Sequence, residues 1–266
     1  MISHFTPDMK EILAQFARQA GVTIDILEQT DSTNNRAAET PYGAGDVVIA
    51  ERQEAGRGQR GNSWSSTPGE NLTFSVVLRP DFLPAERQFR ISKAVALAVT
   101  DTIAEAGLRP AIKWPNDIVL NGKKVVGILT EMSTEIEYIN HVVIGVGINV
   151  NTEAFPEEIC ATATSIRLES GKTWRRAELI AAILRQFEVQ YERFVKEEDL
   201  AYLREAYDAV LVNCNREVRI LGEKDGYRAV ALGIDDQGEL LVRKEDGTVT
   251  SVYAGEVSVR GIYGYV

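Results

Sequence analysis

Asn121-Gly122 stands between two apolar runs, Ile118-Val119-Leu120 and Val125-Val126-Gly127-Ile128-Leu129. Asn-Gly accepts positive φ at both central positions of a two-residue turn, so the spacing predicts an antiparallel hairpin here. Just ahead lies Lys113-Trp114-Pro115-Asn116-Asp117, and Lys123-Lys124 open the returning strand. A carboxylate at the end of one strand thus meets a lysine pair at the start of the next. A cation and an anion held together on rigid strands suit the joining of two negatively charged molecules.

Pro115 fixes its own backbone angle and biases Trp114 towards an extended conformation. Asn116 and Asp117 then emerge at a rigid bend, where binding residues gather. Strict alternation groups Lys124 with Val126 and Ile128, and Lys123 with Val125 and Leu129. Both faces are apolar, so one lysine is drawn inward, and parity does not say which. A buried lysine needs an anion, which a ligand can supply; the alternative is an edge-strand pair in water.

The flanking sequence is that of an α/β domain. Residues 8–20 carry apolar side chains at helical spacing and stop at Gly21. Asp31-Ser32-Thr33-Asn34 offers several capping residues for a second helix. Residues 46–50 and 72–78 read as buried strands. Pro84 to Ala106 reads as a long helix ended by Gly107, with strands following at 111–114, 117–120, 123–132 and 138–150. Residues 176–207 read as one helix. From Arg216 short alternating strands are separated by Gly222, Gly226, Gly238 and Asp246-Gly247, which predicts a small appended barrel and a boundary at 213–216.

Composition limits the function. Of 266 residues 44% are apolar, enough for a real core. The net charge of −10, with 29 basic and 39 acidic side chains, opposes general nucleic-acid binding. Cys160 and Cys214 are too few for a disulfide framework or a zinc motif. No signal pattern and no run of ~18 apolar residues occurs, so a soluble cytoplasmic protein without a membrane segment is expected.

Three further constellations can carry chemistry. Gly56-Arg57-Gly58-Gln59-Arg60-Gly61-Asn62-Ser63-Trp64 combines backbone freedom with positive charge suited to phosphate or carboxylate, although a plain surface hairpin would look similar. It matches neither the Walker pattern nor the dinucleotide fingerprint. Ser32, Thr33 and Asn34 can cap a helix, face a polar head group, or both. Gly145 and Gly147, alternating in an apolar strand that leads to Ile148, Asn149 and Asn151, let a helix or a ligand lie against the backbone.

In this order the motifs resemble the biotin–protein ligases. They are Asp-Ser-Thr-Asn, Gln53-x-x-Gly-Arg-Gly-x-x-Gly-x-x-Trp, Lys-Trp-Pro-Asn-Asp, Lys-x-x-Gly-Ile-Leu and Gly-x-Gly-x-Asn. The likeness runs from residue 28 to the C-terminal segment with Gly255-Glu256-Val257-Ser258. It implies an α+β fold: a mixed sheet with helices on one side over residues 1–214 (1–24 a helical extension), and an SH3-like barrel over 215–266. It implies that biotin and ATP, with Mg²⁺, form biotinyl-5′-adenylate, and that a lysine of a biotin carboxyl carrier domain then attacks it. Lys124, Asp117 and Arg57 match the catalytic positions. Ser32, Thr33, Asn34, Gln53, Gly56, Arg57, Lys124 and Gly127 match the biotin site. Gly58, Gln59, Arg60, Asn62, Trp64, Asn116, Lys124, Gly147, Ile148 and Asn149 match the nucleotide site. No metal ligand is identified.

Two departures qualify the likeness. Many members carry arginine where Gln59 stands, and here the arginine falls one place later, so Arg60 or Asn62 substitutes in part or the adenylate is held less tightly. Residues 1–30 are too few for the winged helix-turn-helix of members that repress transcription, so no DNA binding is expected. Lipoate–protein ligases and octanoyltransferases share the catalytic fold but lack this motif combination, and a non-catalytic biotin sensor would not need Lys124. Exposed sheet edges allow a homodimer as well as a monomer.

Overall fold

Period-two alternation in the central strands sets the layering. The computed structural model describes residues 6–39, 41–80, 90–135, 138–221, 226–254, 258–261 and 265–266. In β3 (Leu72–Leu78), Leu72, Phe74 and Val76 join the main core, while Thr73 and Ser75 point the other way. In β7 (Tyr138–Ile148), Ile144, Val146 and Ile148 share that core and the two glycines face away. One face of the sheet is therefore apolar and covered by helices, and the other is free to carry a site.

The sheet has seven strands in the order β1-β2-β3-β7-β6-β5-β4. They include β1 (Ile24–Thr30), β2 (Val47–Gln53), β4 (Pro110–Lys113), β5 (Asp117–Leu120) and β6 (Lys123–Glu135). β1 and β2 pair in parallel and the other neighbours are antiparallel. Parallel pairing requires a crossover, which α2 (Thr33–Ala37) provides. The long helices α1 (Pro7–Ala20), α3 (Ile91–Glu105) and α5 (Arg176–Glu197) pack on the apolar face. α2 lies on the opposite face, where Ala37 packs with Val48, Val77 and Val143. Helices on one side only is thus corrected: the short crossover helix sits beside the site.

A buried ion pair ties β2 to α5. Arg176 donates to both oxygens of Glu51 (2.9 and 2.8 Å) and to the Asn71 carbonyl (2.9 Å), and the Gly69 N–H completes the carboxylate's shell. Both side chains are almost fully buried.

Residues 176–207 are not one helix. Glu198 takes a left-handed conformation (φ 59°) and ends α5, and a 3-10 turn (Ala201–Leu203) leads into α6 (Arg204–Val210). Glu197-Glu198-Asp199 places negative charge at the negative end of the helix dipole, which favours a stop there without glycine or proline. β1 and the short α4 (Ile166–Ser170) also lie outside the sequence expectation. The expected helix start at Pro84 falls outside the described residues, as do Gly222 and residues 255–257.

The C-terminal segment forms a five-stranded antiparallel sheet, ordered β11-β10-β9-β8-β12. Its strands are β8 (Glu217–Leu221), β9 (Tyr227–Ile234), β10 (Leu240–Lys244), β11 (Val249–Val252) and β12 (Ser258–Gly261). Among the described residues β11 and β12 do not pair. The β9–β10 turn docks on the first sheet: the buried Trp114 indole donates to the Gly238 carbonyl (3.1 Å), and Leu200 N–H to the Asp236 carbonyl (2.9 Å). A Cβ at Gly238 would lie 2.6 Å from Leu200 Cδ1, so this close approach needs glycine.

Candidate active site

The hairpin forms as its turn residues dictate, with Asn121 at φ 48° and Gly122 at φ 76°. Pairing runs Leu120 with Lys123 and Val119 with Lys124, then slips, so that Ile118 meets Val126 and Asp117 meets Gly127. Val125 is the extra residue of a β-bulge. The bulge overturns the alternation read from the sequence. Val125, Val126 and Ile128 enter the helix-side core, while Lys124 turns to the site side with Gly127 and Leu129. There Lys124 Nζ stands 2.6 Å from Asp117 Oδ1. Lys123 stays exposed and reaches the Cys160 carbonyl (3.3 Å).

Contacts from elsewhere in the chain shape the bulge. Lys124 N–H donates to the Thr162 carbonyl (2.7 Å), its carbonyl accepts from Thr164 N–H (2.9 Å), and the Val125 carbonyl accepts from Asn149 N–H (2.9 Å). Asn116 clasps β6 from the other side, its backbone and side chain both bonded to Ile128 at 2.9 Å. Lys113 lies 3.9 Å from Asp117 Oδ2, and burial pushes its ammonium down to about 8 against the pull of that carboxylate. The Trp114–Pro115 peptide is cis.

Two chambers open on the free face of the sheet, and Lys124 and Trp64 line both. The first is lined by Ser32, Thr33, Asn34, Gln53, Arg57, Gly58, Gln59, Asn116, Gly127 and Gly147. Ser32 occupies the N-cap position of α2, yet its hydroxyl makes no capping bond and faces the chamber. Gln53 Oε1 accepts from the Thr33 N–H (2.7 Å) and hydroxyl (3.1 Å). The Ser75 hydroxyl lies 2.8 Å from Thr33 Oγ1 and 2.6 Å from Asn34 Oδ1. Asn34 donates to Glu131 Oε2 (2.7 Å), which also takes Arg57 Nη2 at 2.7 Å. Ser32, Thr33, Asn34, Gln53 and Ser75 make this end rich in neutral polar groups, with the Glu131–Arg57 ion pair beside them, which suits an uncharged head group rich in N–H and C=O.

The alternating glycines serve both readings offered by the sequence. A Cβ at Gly145 would fall 2.3 Å from Asn34 Oδ1, so this position admits the helix side chain. A Cβ at Gly147 would fall 2.2 Å from the Trp64 ring, so that one admits an aromatic plane. The Gly/Arg loop is itself a hairpin, closed by Trp64 N–H to the Gly56 carbonyl (2.9 Å) and Gly58 N–H to the Asn62 carbonyl (2.7 Å). Gly56 is required there, since a Cβ would stand 2.3 Å from the Trp64 carbonyl oxygen.

The second chamber, about 380 Å³, has Asn149 and Asn71 on its polar side and Ala154, Phe155, Pro156 and Ile159 as an apolar wall. Asn149 is held by its side-chain bond to the Thr164 carbonyl (3.1 Å). Six expected nucleotide-site positions are placed differently. Ile148 points its side chain into the helix-side core, Asn62 is exposed and bonded to the Gln59 carbonyl, and Gly58, Gln59, Asn116 and Gly147 line the first chamber instead. The Arg60 side chain lies outside the described residues. Glu131, Ser75, the 154–159 wall and Tyr265, whose hydroxyl donates to Asp117 Oδ2, were not foreseen. Parity from Gly127 and Leu129 would have found Glu131, and alternation through Leu72–Leu78 would have found Ser75. Among the described residues no group of three His, Cys, Asp or Glu side chains can hold a metal ion.

The biotin/lipoate A/B protein ligase family matches residues 26–149, and the biotin protein ligase C terminal domain matches residues 214–260. The bifunctional ligase/repressor BirA of Bacillus subtilis is 37% identical over 240 residues, covering 88% of this chain and 72% of that protein. The biotin–[acetyl-CoA-carboxylase] ligase of Mycobacterium tuberculosis is 34% identical over 242 residues, covering 88% of each. The biotin protein ligase from Aquifex aeolicus, solved in complex with biotin and ATP, aligns with a TM-score of 0.81 at 30% identity, covering 90% of this chain and 99% of that one.

Proposed function

The chain belongs to the biotin/lipoate A/B protein ligase family, among its biotin protein ligases, and on that premise we propose how its residues divide the work. The protein is an enzyme, a ligase that uses ATP to attach biotin to protein. The first chamber takes biotin: Ser32, Thr33 and Gln53 bind the ureido head, with Asn34, Gly56 and Gly127 shaping the cleft and the Arg57 backbone assisting. The second takes the nucleotide, with Trp64 and Asn149 against adenine, Gly58, Gln59 and Arg60 towards the phosphates, and residues 154–159 as the apolar wall for the base.

In the first half-reaction a biotin carboxylate oxygen attacks the α-phosphorus of ATP and pyrophosphate leaves. Both partners are anions, so repulsion dominates the barrier. Lys124, at the wall between the chambers, offsets it and stabilises charge on the transferring phosphoryl group. No carboxylate cluster among the described residues would hold a metal ion, so Mg²⁺ would be held chiefly by the nucleotide phosphates themselves, where it would supply charge neutralisation. In the second half-reaction an acceptor lysine attacks the carbonyl of biotinyl-5′-adenylate and AMP leaves. Asp117 receives the amine, which must arrive neutral. The Gly/Arg hairpin lies over both and excludes water.

The acceptor is the carrier domain of a biotin-dependent carboxylase, and the protein works in the cytoplasm without DNA or a membrane. No helix among the described residues is long and apolar enough to cross a membrane. The likeness supports a catalytic domain over 1–214 and an SH3-like domain over 215–266, and sheet-edge pairing permits a homodimer.

The observation that carries this reading is Lys124 Nζ, 2.6 Å from Asp117 Oδ1 on the wall shared by a polar and a partly apolar chamber. Biotin-dependent exchange of labelled pyrophosphate into ATP tests it. Lys124→Ala removes most of the exchange and Lys123→Ala removes much less. Exchange with lipoate instead of biotin would transfer the reading to lipoate ligation, and none with either would leave a sensor.

A further inference from the structure

The Asp117 carboxylate is only 11% exposed and both of its oxygens are engaged. Oδ1 faces Lys124 Nζ at 2.6 Å; Oδ2 accepts from the Tyr265 hydroxyl and has Lys113 Nζ 3.9 Å away. Tyr265 reaches it from 148 residues away, beyond the stretch matched to the C-terminal domain of the family. Two cations lie over its ring, with Lys113 Nζ 4.3 Å and the Arg260 guanidinium 5.3 Å from the centroid. Val266 follows against the hairpin turn, where a Cβ at Gly122 would lie 3.3 Å from its Cγ2. Residues 265 and 266 thus touch both ends of β5.

Lys124 cannot serve two anions at once. When it turns to the phosphate in adenylate formation, Asp117 loses its nearest cation. A carboxylate that is almost fully buried is costly to keep ionised without donors. Tyr265 and Lys113 remain on Oδ2. Burial, and then the Asp117 charge, hold the Tyr265 phenol far above its ordinary range, so it stays protonated and donates. The charged groups facing the carboxylate are Lys124 from β6 and Lys113 from β4, with Arg260 of β12 behind the tyrosine ring.

We propose that Tyr265 is a positioning residue for the transfer half-reaction: its hydroxyl holds Asp117 by Oδ2 while Oδ1, vacated by Lys124, receives the acceptor lysine. The amine donates an N–H to Oδ1 as its nitrogen bonds to the adenylate carbonyl carbon. The carbon–oxygen bond to AMP breaks, AMP leaves with that electron pair, and the amine's proton departs through Oδ1. This assignment rests on the biotin-ligase reading above.

The test is Tyr265→Phe, which keeps the ring against Lys113 and Arg260 and removes only the hydroxyl. Transfer from preformed biotinyl-adenylate to a purified biotin carboxyl carrier domain is followed in single turnover, with pyrophosphate exchange measured on the same enzyme. Transfer slows about tenfold, the size of one lost hydrogen bond to a charged group, while exchange falls by less than about twofold. The loss falls on the single-turnover rate at saturating carrier domain and not on the carrier concentration that half-saturates it, a split that a purely structural role would not give. Equal losses in both half-reactions, undiminished transfer, or a loss confined to carrier half-saturation overturns the assignment. Thermal unfolding of the variant separates these results from misfolding. Failure of wild-type exchange with biotin would instead remove the functional reading itself.

Discussion

Gly147 gives the sharpest test of how Trp64, which lines both chambers, is seated. An alanine Cβ there would lie 2.2, 2.5 and 2.6 Å from Cε2, Cζ2 and Nε1 of Trp64. Ordinary carbon contacts begin near ~3.5 Å, so the indole must retreat by more than about 1 Å or leave the strand. The backbone itself accepts alanine, because Gly147 is not among the positive-φ glycines. Trp64 is only half-buried, so its displacement costs little fold stability, and the loss is offset by about 0.4–1 kcal/mol from the stiffer unfolded chain. Function pays instead. An aromatic platform under a base is worth about 1–3 kcal/mol, which translates to a rise of roughly 5- to 150-fold in the KM for ATP. Pyrophosphate exchange at saturating biotin measures it, with thermal melting as the control. Gly145→Ala supplies the contrast, since its Cβ would strike Asn34 at 2.3 Å in the first chamber and raise the KM for biotin. A Gly147→Ala enzyme whose KM for ATP stays within about twofold of wild type would refute the placement of Trp64 beneath the base.

Other outcomes follow from the same geometry. Arg176→Met leaves Glu51 buried without its cation and should destabilise the fold by about 3–5 kcal/mol, read from urea unfolding; the double variant with Glu51→Leu should recover much of that loss. Lys93, fully buried and donating to the Pro115 carbonyl (2.9 Å), has its ammonium pushed down to about 7 by burial, from 10.5. The unfolded chain therefore binds more protons across that window, so stability climbs as pH rises from 7 towards 10.5, and Lys93→Met should flatten the slope. Gln59→Arg should slow release of the adenylate relative to wild type; equal release rates would show that position 59 does not govern retention.

Much of the site was legible because its signals are local. The Asn-Gly turn, the Gln53-to-Trp64 loop and the alternating glycines each impose a backbone geometry that neighbouring residues decide. β1 was missed because Ile24–Thr30 is an edge strand of intermediate burial without clean alternation, and it is held by parallel pairing to a distant segment. The break at Glu198 was missed because acidic residues at a helix end leave a weaker mark than glycine. Tyr265 had no local signal at all, since nothing near it in the chain hints at Asp117.

The two lysines show where sequence stops. The order of residues determined that a hairpin turns at Asn121-Gly122, that Asp117 ends one strand and that a lysine pair starts the next. Turn geometry needs only four neighbouring residues, so it can be read from them. Which lysine enters the site was decided by the bulge at Val125. That bulge depends on hydrogen bonds with Thr162, Thr164 and Asn149, which lie outside the strands, on segments that meet β6 only after folding. Strand parity assumes an unbroken ladder, and one unpaired residue reverses it. The chemistry of the site is written in the chain, but the face on which Lys124 meets Asp117 belongs to the tertiary structure.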